Sequence, residues 1–198
     1  MPLHVSPAPA PALRGVLAAL GSPTAVHEAR TPALRSEPGP LAAEHPLPLH
    51  VLDRVSPRDG RAATPTTRLV GWRFLIAGSG HAVAAAEAML TPDGWAFSHF
   101  CEGPYVASTE RSLRHAEALP AAYQPRLLSV PELYMLTLWL HRDTTAQPDA
   151  GHPAPTDLLV PLAPAPPGIA PNRPHQVNDL LPLLTLRLAP SPLLGSPA

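Results

Sequence analysis

Alternating apolar and polar positions mark three consecutive segments in the middle of the chain. In residues 68–77, every second residue is large and apolar while Arg73 falls on the other side, which is the period of a half-buried β-strand. The segments 82–90 and 95–101 repeat the alternation, although the alanines of 82–90 also suit a helix. The turn sequences GSG and TPDG join the three segments. This pattern predicts a three-stranded meander.

Helical signals follow the meander. Ser108 or Thr109 offers an N-cap for a helix whose apolar stripe recurs at helical spacing. The segment 129–142 is apolar nearly all round and opens with Ser129 and Glu132 in the spacing of a capping box. These features predict two helices, the second of them well buried.

The C-terminal part of the chain adds two further elements. Residues 157–162 predict a fourth strand at an edge or a bulge, because a proline lies near its end. Residues 178–188 predict a last helix capped by Asn178, with Pro182 tolerated only in the first turn. The fold class expected from these elements is α+β, with an antiparallel sheet of three to four strands and helices packed on one face.

Proline and aromatic residues are distributed in opposite ways along the chain. Residues 1–65 hold twelve prolines and residues 148–198 hold thirteen, whereas all nine aromatic residues lie between 72 and 139. Aromatic side chains dominate cores, and prolines interrupt helices and strands. We therefore expect a single α+β domain over residues 66–188.

The flanking segments are expected to lie outside this domain. Residues 1–65 are predicted to form a largely disordered Pro/Ala-rich arm with extended polyproline conformations. One or two helical turns at 13–20 are an open alternative within it. Residues 189–198 are predicted to be a flexible tail.

Composition excludes several classes of function. The formal net charge is -1, which gives no electrostatic reason to expect nucleic acid or an anionic membrane as partner. All 14 basic residues are arginine, so chemistry that requires a lysine is excluded. One cysteine cannot form an intrachain disulfide, and no apolar run has the roughly 20 residues that span a bilayer. We expect a cytoplasmic protein without cofactors.

The cysteine lies beside a histidine in the third predicted strand. His99 and Cys101 alternate on that strand and therefore share a face, which suits a Cys–His nucleophile pair. The same alternation places them with Trp95 and Phe97 on the expected core face, which favours a structural Cys101 instead. Metal binding by His99, Cys101 and His115 is the less favoured hypothesis, because the histidines show no zinc-type spacing.

The loop after this strand is a candidate ligand site. Ser108, Thr109, Arg111 and Arg114 combine hydroxyls, arginines and a helix start, which together suit an anion. The alternative is simple helix capping with solvated arginines.

The functional hypothesis follows from these signals. No catalytic constellation or nucleotide-binding motif is found, so the sequence favours a non-catalytic adaptor that binds a protein partner through its Pro-rich arm. The alternatives are a small enzyme that uses Cys101 or the Ser108/Thr109 loop, and a domain that binds an anion or a small molecule at that loop.

Overall fold

The computed structural model describes residues 3–53 and 66–188, which form five α-helices and one sheet of eight strands. The helices are α1 (Ala10–Leu20), α2 (Pro23–Glu28), α3 (Pro32–Ser36), α4 (Pro104–Glu117) and α5 (Val177–Leu188). The strands are β1 (Ala42–Leu52), β2 (Thr67–Gly78), β3 (His81–Thr91), β4 (Gly94–Cys101), β5 (Gln124–Val130), β6 (Met135–His141), β7 (Leu158–Pro161) and β8 (His175–Gln176).

The sheet is mixed. Its strand order is β4-β3-β2-β1-β5-β6-β7-β8, in which β1 and β5 run parallel and the other neighbours run antiparallel. The predicted antiparallel sheet of three to four strands is therefore wrong. The three meander strands themselves are confirmed as β2, β3 and β4, and they form one end of the larger sheet.

The predicted disordered arm over residues 1–65 is wrong for residues 3–53. Helix α1 places Ala12 and Val16 in a core cluster with Trp72 and Phe74, and α3 adds Leu34 to the same cluster. Apolar side chains among the N-terminal prolines thus bury enough surface to order this segment. Residues 54–65 and 189–198 lie outside the described residues.

Strand β1 was missed because it contains prolines. Pro46 and Pro48 lie in a strand near the centre of the sheet, where proline is rare because it donates no ladder hydrogen bond. The β1–β2 register shifts between Glu44 and Leu47, around Pro46. The parallel pairing with β5 involves only residues 49–51, beyond both prolines. The strand therefore pairs with β5 where its backbone N–H groups are present.

The predicted buried helix at 129–142 is also wrong. Residues 124–141 form the hairpin of β5 and β6, joined by the 3₁₀ turn Pro131–Leu133. Every residue of β6 is buried, because helices cover the sheet on both faces. In a strand with two buried faces, apolar and polar residues do not alternate, so its sequence cannot be told from that of a buried helix by periodicity.

The helices pack on both faces of the sheet, not on one as predicted. Helix α4 covers one face, where it packs on leucines of β1, β5 and β6. Helices α1–α3 cover the β2–β4 half of the opposite face, and α5 covers the other half of that face. Within residues 3–53 and 66–188, none of the helices is long and apolar enough to cross a membrane.

Two of the later predictions are partly confirmed. The strand expected at 157–162 is β7, although it pairs on both sides and is not an edge. The last helix is α5, but Pro182 lies inside it rather than in its first turn. Helix α4 begins at Pro104, four or five residues before the predicted caps Ser108 and Thr109, because proline is well suited to the first helical position.

Candidate functional site

A β-bulge in β4 decides where the side chains of its last residues point. Ala88 of β3 pairs with Phe97, and the next β3 residue, Glu87, pairs with His99. Ser98 is therefore an extra residue without a partner in β3. An inserted residue reverses the alternation of side chains along the rest of the strand.

The bulge corrects the expected position of the cysteine. Trp95, Phe97 and Phe100 all pack in the cluster beneath α1, and the rings of Phe97 and Phe100 have centroids 4.8 Å apart. Cys101 instead packs against the cluster beneath α4. The prediction that His99 and Cys101 share a face with Trp95 and Phe97 is therefore wrong.

On the α4 face, four side chains from three strands form what we call the edge cluster: Arg73, Glu87, His99 and Cys101. Arg73 lies directly opposite Glu87 in the sheet register, and Glu87 lies directly opposite His99. Arg73 donates from Nε to Glu87 Oε1 at 2.8 Å and also from Nη2 to the same oxygen. One donor atom from each of Glu87, His99 and Cys101 lies within 4.8 Å of the others.

The environment of Cys101 does not favour nucleophilic catalysis. Burial raises the pKa of the thiol; the Arg73 guanidinium opposes that shift and the Glu87 carboxylate adds to it. The thiolate is the nucleophilic form, so a raised pKa keeps the group in its less reactive state. Cys101 is only partly buried, and it is a free thiol. This shift is opposite in direction to the one that activates the thiol of a Cys–His nucleophile pair.

A groove of about 640 Å³ lies beside β4. One wall is formed by Ala25, Glu28 and Ala29 of α2 and its C-cap, with Arg30 next to them. The other wall is residues 97–102, apart from Ser98. The groove thus joins the exposed His99 and part of the edge cluster to solvent.

The structure does not assemble the anion site expected after β4. Ser108 and Thr109 lie inside α4 and are buried. The Ser108 hydroxyl donates to Asn172 Oδ1 at 2.7 Å and accepts from Ala163 N at 2.8 Å. The Thr109 hydroxyl donates to Tyr105 O at 2.7 Å. The Ser108 hydroxyl thus holds α4 to the segment around residues 163–172, whereas the Thr109 bond lies within the helix.

The arginines of the expected anion site lie on the outer side of α4. Arg111 and Arg114 are exposed, and Arg114 forms an i, i+4 ion pair with Glu110 at 3.4 Å. His115 is exposed on the same helix and does not belong to the group of Glu87, His99 and Cys101. The four predicted anion ligands therefore do not converge.

A second polar group, which sequence reasoning missed, lies on the opposite face under the loop 142–156. We call it the loop-anchoring cluster, and its members are His50, Arg126, His141 and Asp157, arranged around Trp139. Arg126 is fully buried and donates to Gln124 Oε1 at 2.6 Å, Ala150 O at 2.5 Å and Gln147 O at 2.9 Å. Its guanidinium carbon lies 4.8 Å from the Trp139 ring centroid.

Asp157 is the acceptor at the centre of this cluster. It accepts from Trp139 Nε1 at 2.7 Å, His141 Nδ1 at 2.8 Å, Arg142 N at 2.9 Å and Ala154 N at 2.9 Å. Although burial alone would raise the pKa of Asp157, these hydrogen bonds outweigh it and hold the pKa below its ordinary value. The carboxylate is thus satisfied by the protein, and the cluster is built to fix the loop.

His50 packs against the same tryptophan, with ring centroids 5.2 Å apart. Its Nε2 lies 2.9 Å from Pro148 O, which makes it the donor, and its buried Nδ1 has no hydrogen-bond partner among the described residues. The pKa of His50 is lowered to about 4, and burial is the largest of the several causes of this shift. The histidine is therefore neutral near pH 7.

The sequence holds a partial signal for this cluster. Arg126 and Asp157 are charged residues that border otherwise apolar segments, and buried charges are usually paired. Which charges pair depends on how the loop 142–156 folds back, and no local pattern specifies that.

Another cavity, of about 600 Å³, lies at the end of the β2–β3 hairpin. His45, His81 and Glu110 line it, and His45 has a positive φ of 46°. Glu110 accepts from Ala82 N at 3.2 Å, which ties α4 to this hairpin. Of the polar groups in this cavity, Glu110 therefore has a structural contact.

The chain was compared with protein-family models, with curated proteins and with solved structures, and none of them matched.

Proposed function

We propose that this chain is a non-catalytic binding module that receives an extended peptide segment of a partner protein as an additional strand beside β4. The observation that carries this proposal is the position of β4, an eight-residue strand at the end of the sheet with a groove along its last residues. An edge strand presents backbone N–H and C=O groups that a further strand satisfies.

The two ends of the sheet differ in their capacity for such pairing. At the other end, β8 has only two residues and is followed at once by α5. Short strands are one way in which proteins limit unwanted pairing at sheet edges. The bulge at Ser98 interrupts β4, so an added strand is expected to pair along residues 99–101, where the groove lies.

The walls of the groove supply side-chain recognition. Ala25, Ala29 and Phe97 offer apolar contacts, while Glu28 and Glu102 are acidic. Backbone pairing contributes affinity and such side-chain pockets contribute specificity. In this proposal the partner binds at the edge strand β4 and not through the N-terminal arm.

The partner is proposed to be a protein rather than nucleic acid or a membrane, in keeping with the formal net charge of -1. A cytoplasmic location is proposed because the single cysteine cannot form an intrachain disulfide. No cofactor is required for strand addition.

Selection from a displayed library of random decapeptides tests the proposal. A selected peptide, synthesised with a fluorophore, should bind the full chain, and its binding should protect backbone amides of residues 97–102 from hydrogen exchange. Ala29→Arg fills the groove and should weaken binding by about tenfold or more, equivalent to about 1.4 kcal/mol. Ala42→Arg makes the same change in the wall of the other cavity and should leave binding unchanged.

Three outcomes would overturn this proposal. They are failure of any peptide to enrich over the background, protection that maps away from β4, and equal affinity of the wild type and Ala29→Arg. Glu28→Arg provides a second test, because this exposed residue can change sign without a packing cost. It should alter the affinity for charged peptides in the direction of the new charge.

A further inference from the structure

The edge cluster contains three side chains of the types that bind transition metals. We propose that Glu87, His99 and Cys101 together bind one divalent transition metal ion of the zinc class. One donor atom from each residue lies within 4.8 Å of the other two, so the three already converge. This proposal does not depend on peptide binding at the groove.

The donor set suits zinc. Thiolate sulfur, imidazole nitrogen and carboxylate oxygen are the three side-chain donors that Zn²⁺ accepts. Magnesium and calcium prefer oxygen donors throughout, so a site with one sulfur and one nitrogen disfavours them. Three protein donors leave the fourth tetrahedral position for water, as in zinc sites that remain open to solvent.

The sheet register produces this convergence. Glu87 and His99 lie opposite each other on β3 and β4, where directly paired side chains are close neighbours. Cys101 follows two residues after His99 and so projects from the same side of the strand. Without the bulge at Ser98, His99 and Cys101 would face α1 and could not meet Glu87.

The observed separation is compatible with a modest closure around the ion. Zinc–ligand bonds of about 2.0–2.3 Å place tetrahedral donor atoms about 3.3–3.8 Å apart. The donor atoms lie within 4.8 Å of one another, so no pair has to approach by more than about 1.0–1.5 Å for binding. Exposed His99 at the edge of the sheet can adjust its side chain, while Glu87 is held in place.

Arg73 is the residue that holds Glu87. Its two hydrogen bonds both go to Oε1, so Oε2 is the oxygen expected to bind the metal. Carboxylates that bind metals are commonly hydrogen-bonded by neighbouring groups, which orient them. Ser98 Oγ lies 3.0 Å from His99 Nδ1, so Nε2 is the nitrogen expected to bind. The groove beside β4 gives an ion a path to the donors.

Cobalt substitution gives a direct test, because this chain has a single cysteine. Co²⁺ bound to a thiolate shows a near-ultraviolet charge-transfer band, which in this chain can arise only from Cys101. We expect one Co²⁺ per wild-type chain, with that band and with the intense visible bands of tetrahedral cobalt. Zn²⁺ should displace the cobalt and remove both features.

Two ligand variants and a control sharpen the test. Cys101→Ser should abolish the charge-transfer band, and His99→Gln should weaken cobalt affinity by about tenfold or more. His115→Gln, which changes an exposed histidine outside the edge cluster, should behave as the wild type. Far-ultraviolet circular dichroism of each variant verifies that the fold is retained.

The proposal is overturned if the wild type shows no charge-transfer band at micromolar Co²⁺. It is also overturned if His115→Gln weakens binding as much as His99→Gln, since binding would then be non-specific. Binding of one ion per two chains, measured together with the molar mass by light scattering, would overturn it as well, because thiolates of two molecules would then hold the metal. Because His99 is exposed, its variant remains informative even if Cys101→Ser folds poorly.

Discussion

The two polar clusters of this sheet are built from similar residue types and yet differ in how they are satisfied. The loop-anchoring cluster contains an arginine, two histidines and an aspartate, and the edge cluster contains an arginine, a histidine, a glutamate and a cysteine. In the first, Asp157 accepts four hydrogen bonds from protein donors. In the second, the described hydrogen bonds join Arg73 to Glu87 and Ser98 to His99, while Cys101 stays a free thiol.

This difference separates a structural role from a binding role. A buried carboxylate that accepts four hydrogen bonds fixes the surrounding fold, whereas convergent side chains that keep a free thiol and a free carboxylate oxygen leave capacity for a ligand. The location supports the same division, because the loop-anchoring cluster is covered by residues 142–156 and the edge cluster opens to a groove. Changes in the first should therefore alter stability, and changes in the second should alter binding.

The largest effect is expected from Asp157→Ala. The substitution leaves Trp139 Nε1, His141 Nδ1 and two backbone N–H groups without their acceptor in a buried site. We expect the free energy of unfolding to fall by about 3–5 kcal/mol. Urea denaturation followed by tryptophan fluorescence measures this loss.

Asp53→Ala is the matched control for that substitution. Asp53 forms an ion pair with Arg68 at 3.2 Å, and the Arg68 side chain is 63% exposed. Because exposed ion pairs contribute little, the control should lose less than about 1 kcal/mol. A loss for Asp157→Ala as small as that of the control would remove the distinction between the two clusters.

The next effect is a pH dependence that originates at His50. Its folded pKa of about 4 lies below its ordinary value of 6.5, so the unfolded chain binds more protons between these values. The contribution is fully present above about pH 6.5 and is lost as the pH falls toward 4. The loss amounts to about 3 kcal/mol by linkage.

Denaturation curves between pH 4 and 7 test this dependence. His50→Gln keeps a donor for Pro148 O but cannot titrate, so its stability should vary less over this range. The difference between wild type and variant isolates the contribution of His50 from those of other histidines. Parallel curves for the two proteins would show that His50 is protonated as easily in the folded state as in the unfolded one.

The sequence predicted those elements whose two sides differ in polarity. In β2, Arg73 lies on the face away from Trp72 and Phe74, so one side of the strand is more polar than the other. This contrast allowed the meander to be predicted. Strand β6 has no such contrast, because both its faces are buried, and periodicity could not separate it from a helix. Strand β1 was not predicted because it contains prolines. They are tolerated because the β1–β2 register shifts around Pro46 and because the pairing with β5 involves only residues 49–51.

The candidate site was only half predictable for a related reason. His99 and Cys101 were found by their spacing, but the face they occupy depends on the bulge at Ser98. The sequence around Ser98 contains no glycine or other local signal for a bulge, so the bulge could not be predicted from it. Glu87 was assigned to a strand and not to the site, because only the β3–β4 register brings it opposite His99.

The smallest effect on stability is expected from a pair of identical substitutions, one in each cluster. His99→Gln changes an exposed side chain whose described hydrogen bond is to Ser98, so the free energy of unfolding should change by less than about 0.5 kcal/mol. His141→Gln removes the contact of a buried ring with Asp157 and should cost about 1–3 kcal/mol. Urea denaturation at pH 7 without added metal measures both.

The two histidines differ in what they contribute to stability in the absence of metal. Without metal, the exposed His99 contributes little to the fold, so His99→Gln should leave the free energy of unfolding nearly unchanged. With one equivalent of Zn²⁺, the wild type should gain stability and His99→Gln should gain much less, because a ligand stabilises only a state that binds it. Equal costs for the two histidine variants without metal would show that the edge cluster is as structural as the loop-anchoring cluster, and the division of roles would be lost.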